Sequence, residues 1–139
     1  MSDRLRGSAL TLGYDRRTVA EDLSIGVPDG SFTVIVGPNA CGKSTLRRAL
    51  ARVLRPRSGT VLLDGHDIAT RPAREVARTL GLLAQTSIAP DGITVQDLIS
   101  RGRYPHRGPL TPWTPADERA VAWAMDATAV TPIAASRRP

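Results

Sequence analysis

The sequence predicts an α/β fold in which a buried strand, a glycine-rich turn and a helix follow one another. Residues 32–36 read FTVIV, an apolar and β-branched run typical of buried strands. The turn that follows is GPNACGKST, residues 37–45. Beyond it, apolar side chains recur at helical spacing opposite a row of arginines; they are Leu46, Ala49, Leu50, Val53 and Leu54.

The first 30 residues predict an antiparallel β arrangement that leads into the buried strand. Two segments alternate apolar with small or polar residues, as half-buried strands do. They are centred on Leu12 and Ile25, and Asp29-Gly30 supplies a tight turn after the second. We therefore expect a small antiparallel subdomain before the central strand.

Shorter elements are predicted after the helix. Residues 55–59 break the chain with proline and glycine, and Thr60–Leu63 then forms a strand closed by a turn at Asp64-Gly65. A short helix begins near Thr70, with Pro72 in its first turn. Leu80–Leu83 is again apolar and predicts a strand, after which Gln85 emerges into a loop at residues 87–92.

Strands give way to helices near residue 93, which predicts a boundary between residues 1–93 and residues 94–139. Thr94 and Asp97 form a capping pattern that opens a helix ending near Gly102. A second start at Thr114 opens a helix that carries Val121, Ala124 and Met125 on its apolar face. Residues 132–139 show no apolar period and predict a frayed end.

The turn at residues 37–45 fits a phosphate-binding loop, with Gly37, Gly42, Lys43 and Ser44 at the required spacing. Backbone N–H groups and the positive end of the following helix surround phosphate oxygens. We expect Lys43 to reach the terminal phosphates and the Ser44 hydroxyl to bind Mg²⁺. The bare pattern arises by chance in roughly one chain in two hundred of this length. A plain connecting turn is the alternative.

Two residues within this loop raise separate questions. Ala40 stands where such loops usually carry glycine, and a positive φ there would cost something like 1 kcal/mol. Cys41 is the single cysteine, so an internal disulfide is excluded. Either its thiol is buried and inert under the loop, or it is reactive and becomes covered by bound nucleotide.

Composition points to a soluble protein that does not bind nucleic acid. The net charge is +6, but the arginines are scattered and only 4% of the residues are aromatic, which favours a solvated surface. No apolar stretch reaches the length of a membrane span, and residues 1–13 lack a signal-peptide core. From these features we expect a chain that is soluble and cytoplasmic, or peripheral to a membrane.

These residues resemble the ATP-binding cassette (ABC) ATPases from about Ala9 to about Thr128. The resemblance rests on the loop, which matches Walker A; on Tyr14, at the usual distance before it; on residues 59–65, GTVLLDG; and on Gln85, which matches the Q-loop glutamine. Residues 94–106, TVQDLISRGRYPH, are similar to the branch that imports ferric siderophores, haem and cobalamin.

The resemblance implies a P-loop NTPase fold: an N-terminal antiparallel β subdomain, a central and mostly parallel sheet, and the start of a helical subdomain. It implies ATP and Mg²⁺ as cofactors, with permease subunits and a second cassette, identical or different, as partners. It also implies a cytoplasmic location, peripheral on the inner face of the cell membrane. Lys43 and Gln85 would be catalytic, and Ser44 and Gln85 would bind the metal. The residues expected around the nucleotide are Tyr14, Gly37, Asn39, Ala40, Cys41, Gly42, Lys43, Ser44 and Thr45.

For Tyr14 two interpretations stay open: a tyrosine at the rim of the core, or an aromatic face on which the base stacks. The sequence departs from the family in having no LSGGQ-like signature, no apolar strand ending in Asp-Glu and no switch histidine. We therefore expect a truncated cassette that hydrolyses ATP poorly. The alternatives are a non-catalytic remnant and a soluble ABC-type ATPase without a membrane partner.

Overall fold

The computed structural model describes residues 3–85 and 90–136 of the chain. The chain divides into two compact units, residues 1–82 and residues 83–139. The predicted assignment of residues 1–93 and 94–139 to two functional subdomains stays a prediction, because compactness alone does not assign a function. Within the described ranges, no helix has the length and apolar character needed to cross a bilayer.

The first unit is built on a four-stranded antiparallel sheet with the strand order β2-β1-β3-β4. β1 lies in the middle, because β2 pairs with one of its edges and β3 with the other. The predicted antiparallel subdomain is therefore confirmed, although its sheet also includes strands from beyond the loop. The strands are β1 (Asp3–Tyr14), β2 (Arg17–Pro28), β3 (Ser58–Leu63) and β4 (His66–Asp67).

Helix α1, Lys43–Leu50, packs against this sheet with the apolar face that its periodicity predicts. Arg47 and Arg48 stay exposed on the other face. A short helix α2, Ala73–Ala77, contributes Val76 to the same core and follows Pro72 as predicted. The buried core consists of Leu10, Leu12, Leu46, Ala49, Leu50, Val61, Leu63, Ile68 and Val76.

Helix α1 ends earlier than its apolar period predicts, because Arg52 adopts a left-handed conformation with φ +60°. The Arg52 N–H donates to the Ala49 carbonyl at 3.0 Å, and the Val53 N–H donates to the Arg48 carbonyl at 2.8 Å. This pair of bonds is the Schellman arrangement that closes helix C-termini. The expected placement of Val53 on the buried face is wrong, since its side chain is exposed.

Two predicted strands are not formed in the part of the chain that the structure describes. Residues 32–36 and 80–83 belong to no sheet, so these described residues assemble no central parallel sheet. Phe32 is 94% exposed and Val36 83% exposed. These runs have the apolar, β-branched composition of strands. A strand also requires a neighbouring strand that satisfies its backbone N–H and C=O groups, and composition does not provide one.

The second unit is helical, and both of its predicted helix starts are confirmed. The Thr94 hydroxyl accepts from the Asp97 N–H at the start of α3, and Thr114 with Asp117 forms a capping box at the start of α4. Val121 and Met125 are buried as predicted. The elements are α3 (Val95–Ser100), a 3₁₀ helix (Arg101–His106), α4 (Pro115–Ala127) and a second 3₁₀ turn (Thr131–Ile133).

Asp117 is a buried carboxylate whose hydrogen bonds connect α4 to Arg103 and Thr114, which precede the helix. Oδ2 accepts hydrogen bonds from the Thr114 hydroxyl and N–H at 2.7 and 3.1 Å, and Oδ1 accepts from Arg103 Nε at 2.9 Å. The Thr114 hydroxyl and the Arg103 guanidinium lower the pKa of Asp117 from 3.8 to about 2. The ionised carboxylate therefore stabilises the fold above pH 3.8, and this contribution is lost as the pH falls towards 2.

The predicted frayed end at residues 132–139 is wrong for the residues described. The Ala134 carbonyl accepts from the Gln96 N–H, and the Ser136 carbonyl accepts from the Val95 N–H, each at 3.1 Å. These bonds satisfy two N–H groups in the first turn of α3, which has no intrahelical partner for them. Residues 137–139 lie outside the described ranges, as do residues 87–89 of the predicted loop at 87–92.

Candidate nucleotide-binding site

The candidate phosphate loop, residues 37–42, is exposed up to Cys41, half-buried at Gly42, and leads directly into α1. Gly42 is the N-cap of the helix and has φ +98°. A Cβ atom at this position would lie 2.8 Å from Val19 Cγ1 of β2, so only glycine allows the loop to pass this close to the sheet. The Leu46 N–H donates to the Gly42 carbonyl at 2.9 Å, which joins the loop to the first turn of α1.

Ala40 has φ +64°, so the strain foreseen for a Cβ at this position is present. A left-handed alanine costs roughly 1–2 kcal/mol relative to its right-handed form. Asn39 and Ala40 form the turn at the tip of the loop, and both are exposed. The backbone there is held in a conformation that glycine would adopt without strain.

Lys43 reaches back across the loop that precedes it. Its Nζ donates to the carbonyl oxygens of Gly37, at 2.7 Å, and Pro38, and lies 3.6 Å from Cys41 Sγ. The ammonium group therefore lies inside the curve of the loop, where an anion held by the loop's N–H groups would meet it. The first turn of α1 contains no acidic residue to oppose a negative ligand.

The residues present fit a nucleotide carrying phosphates and Mg²⁺. Most of the loop is exposed and Lys43 places its ammonium group beside it, and Ser44, an exposed residue, follows directly on α1. A serine hydroxyl is a ligand type that Mg²⁺ accepts beside phosphate oxygens. Thr45, the next residue, is only 6% exposed and packs beneath the first turn.

Cys41 lies on the surface of the loop and is a free thiol. The interpretation of a thiol buried under the loop is therefore wrong, and the reactivity of the exposed thiol stays a prediction. The side chain also approaches Gly37, where a Cβ would lie 3.0 Å from the sulfur. A ligand in the curve of the loop would lie beside this sulfur as well as beside Lys43.

Tyr14 lies at the end of β1 and contacts α1. Its ring is 40% exposed, and its hydroxyl accepts a hydrogen bond from Arg48 Nη1 at 3.4 Å. The Thr45 hydroxyl and then the Arg48 guanidinium lower the pKa of the Tyr14 hydroxyl below its ordinary value. The structure thus brings the predicted stacking residue to the helix that carries Lys43 and Ser44. Its role in binding the base stays a prediction.

Gln85 belongs to the second unit and is exposed. Its expected contacts with Mg²⁺ and with the attacking water stay predictions. A cavity of about 520 Å³ in the first unit lies away from the phosphate loop, against the end of α1 and the strands β3 and β4. The sequence interpretation missed Arg48 and Val19. Arg48 follows Thr45 by three residues, a spacing at which helical side chains are neighbours, whereas nothing local indicates Val19.

A sequence model of the family described as ABC transporter matches residues 20–138 of the chain. The chain belongs to this family. The predicted recognition is confirmed. The assignment of residues 37–45 to the Walker A loop of the cassette stays a prediction. Members of the family bind ATP, usually with Mg²⁺.

Two curated relatives show how far the similarity extends. The chain is 55% identical over 131 residues to the ferric enterobactin transport ATP-binding protein FepC of Escherichia coli K12. This alignment covers 94% of the chain and 48% of FepC. The chain is 47% identical over 119 residues to the probable siderophore transport system ATP-binding protein YusV of Bacillus subtilis 168, covering 86% of this chain and 43% of the relative. The chain thus spans about half the length of the curated relatives it matches.

Solved structures confirm the fold. The structure of an ATP-binding subunit of an ABC transporter superposes with a TM-score of 0.76 at 21% identity, covering 96% of this chain and 53% of that chain. A nucleotide-free ATP-binding cassette from an ABC transporter superposes with a TM-score of 0.73 at 25% identity, covering 97% of this chain and 57% of the other. The P-loop cassette fold predicted from the sequence is therefore confirmed.

Proposed function

We propose that this chain is the ATP-binding part of a cassette that drives import of ferric siderophores or related iron complexes. The observation that carries the proposal is the 55% identity to a ferric enterobactin transport protein across 94% of the chain. The names of other relatives point the same way, since they include achromobactin transport and iron(3+)-hydroxamate import proteins. Two of the names specify iron(III) with an organic ligand, ferric enterobactin and iron(3+)-hydroxamate.

In this proposal the residues of the Walker A loop bind the phosphates of the nucleotide and its metal ion. The N–H groups of the loop and Lys43 bind the phosphate oxygens, and Ser44 holds Mg²⁺ beside them. Bound Mg²⁺ would neutralise charge on the phosphates. Gln85 would report the nucleotide state to the membrane subunits. The proposed location is the cytoplasmic face of the membrane, where the cassette would meet its permease and a second cassette.

A surface in the second unit supports the proposed contact with a permease. A cavity of about 370 Å³ is lined by aromatic and basic side chains, among them Tyr104, Trp113, Arg101 and Arg107. The Arg107 guanidinium lies 5.1 Å from the centre of the Trp113 ring, and Arg107 Nη2 donates to the Thr111 carbonyl at 2.8 Å. Tyr104 remains 61% exposed beside them, so an aromatic side chain is available for contact with a partner.

A chimera tests the proposed transport role. The chain would replace the matched half of FepC in an E. coli strain that lacks FepC, and growth would be measured with ferric enterobactin as the iron source. We expect growth from the chimera and none from the same chimera with Lys43→Ala. A chimera that is soluble and binds ATP, yet supports no growth, would contradict the importer assignment.

Binding of the base is the second test. We expect Tyr14→Ala to weaken ATP and GTP alike, by roughly tenfold, because stacking on an aromatic ring contributes about 1–3 kcal/mol per base and does not read the base edge. Tyr14→Trp should retain affinity, since it restores an aromatic face. Titration of both nucleotides into the three proteins provides the measurement. A loss confined to ATP would show instead that Tyr14 reads the adenine edge.

A further inference from the structure

Arg57 connects the loop after α1 to the turn that follows Tyr14. Its Nη1 donates to the Thr18 hydroxyl at 2.9 Å, and its Nη2 donates to the carbonyl oxygens of Asp15 and, at 3.3 Å, Arg17. The Arg57 backbone N–H also donates to the Thr11 carbonyl of β1 at 2.8 Å. One side chain thus bonds residues on both sides of the hairpin turn, about 40 positions away in the sequence.

Arg57 holds a tight turn at both of its ends. Only Asp15 and Arg16 separate β1 from β2, and Asp15 has φ +46°. Aspartate is one of the few residues besides glycine that adopt the left-handed conformation in such turns. The hydrogen bonds from Arg57 to the Asp15 and Arg17 carbonyls fix the backbone on both sides of the turn.

Tyr14 is the residue that this turn places. It pairs with Arg17 across the hairpin, so both the residue after Tyr14 and the residue opposite it are held by Arg57. Its hydroxyl is reached separately by Arg48 of α1. Arg57 therefore holds the backbone beside Tyr14, and Arg48 holds the Tyr14 ring against α1. The other end of α1 carries Lys43 and Ser44.

We propose that Arg57 is a positioning residue for the nucleotide base: it sets the separation between the Tyr14 ring and the Walker A loop without touching the nucleotide. The proposal rests on the proposed function, in which Tyr14 stacks on the base. Arg57 acts only on the part of the affinity that depends on the base. The part that depends on the phosphates remains with the loop and Lys43.

Titration of ATP and of inorganic triphosphate into the full chain separates these two parts. We expect Arg57→Ala to weaken ATP about fivefold, as expected if part of the stacking contact is lost, and to leave triphosphate affinity unchanged. Arg57→Lys should recover part of the loss, since an ammonium group can still donate to a carbonyl. Arg55→Ala removes the same charge two residues earlier and serves as the matched control. In a Tyr14→Ala background, Arg57→Ala should cause no further loss.

Several results would overturn the proposal. Equal losses for ATP and triphosphate in Arg57→Ala would show a general effect of charge or stability, and so would losses that add to those of Tyr14→Ala. If the wild-type chain binds neither ligand, the proposed function fails. In that case the effect of Arg57 on Tyr14 is measured by NMR, from the chemical shifts of the ring signals of the two tyrosines in wild type and Arg57→Ala. Arg57→Ala should shift the Tyr14 signal and leave Tyr104 unchanged, and an unmoved Tyr14 signal would contradict the role.

Discussion

Replacing Lys43 with alanine is expected to weaken ATP binding by about 3 kcal/mol, or roughly 100-fold, because a charged donor contributes about 1.5–3 kcal/mol per hydrogen bond to phosphate. The structure adds a second reason. The ammonium group donates to the Gly37 and Pro38 carbonyls, so its loss also loosens the loop that presents the backbone donors. Calorimetric titration of Mg-ATP into both proteins measures the difference.

Arg47→Ala is the matched control, because Arg47 lies one turn further along α1, is exposed and carries the same charge. We expect its effect to stay within about threefold, as for an exposed charge that is screened by salt. Equal ATP affinity in wild type and Lys43→Ala would contradict the Walker A assignment. An equal loss in both variants would show that the site responds to net charge and not to Lys43.

The 139-residue chain alone is expected to turn over ATP more slowly than about 0.1 per second, at least 100-fold below a typical enzyme, even where it binds ATP. Phosphoryl transfer requires a further metal ligand and a group that orients the attacking water. The printed sequence has no LSGGQ-like segment and no apolar run that ends in Asp-Glu. Release of inorganic phosphate at saturating Mg-ATP is the measurement.

Addition of a purified intact cassette provides the positive control for this rate. Its signature loop could face the Walker A loop of this chain, and we expect some turnover to return. Replacing the wild-type chain with Lys43→Ala in the same mixture shows how much of the phosphate release depends on the phosphate loop of this chain. Turnover by the chain alone that exceeds the limit and disappears in Lys43→Ala would show that another group replaces the missing acid.

The sequence by itself determined the features whose causes lie within a few residues. The caps at Thr94 and Thr114 were predicted because a hydroxyl bonds a backbone N–H three residues later. The alternation around Leu12 predicted β1 because one face of that strand is buried and the other is not. The spacing of Gly42, Lys43 and Ser44 predicted a phosphate loop, because residues of these types at adjacent positions would act on one ligand.

Only the tertiary structure decided the features that depend on distant partners. Residues 32–36 have the composition of a buried strand, but they form none here because composition does not supply a neighbouring strand. Helix α1 ends before Arg52, which is left-handed, although the helical spacing of apolar residues continues to Leu54. The bonds from Arg48 to Tyr14 and from Arg57 to the hairpin turn join residues 34 to 42 positions apart, and no local pattern encodes such a separation.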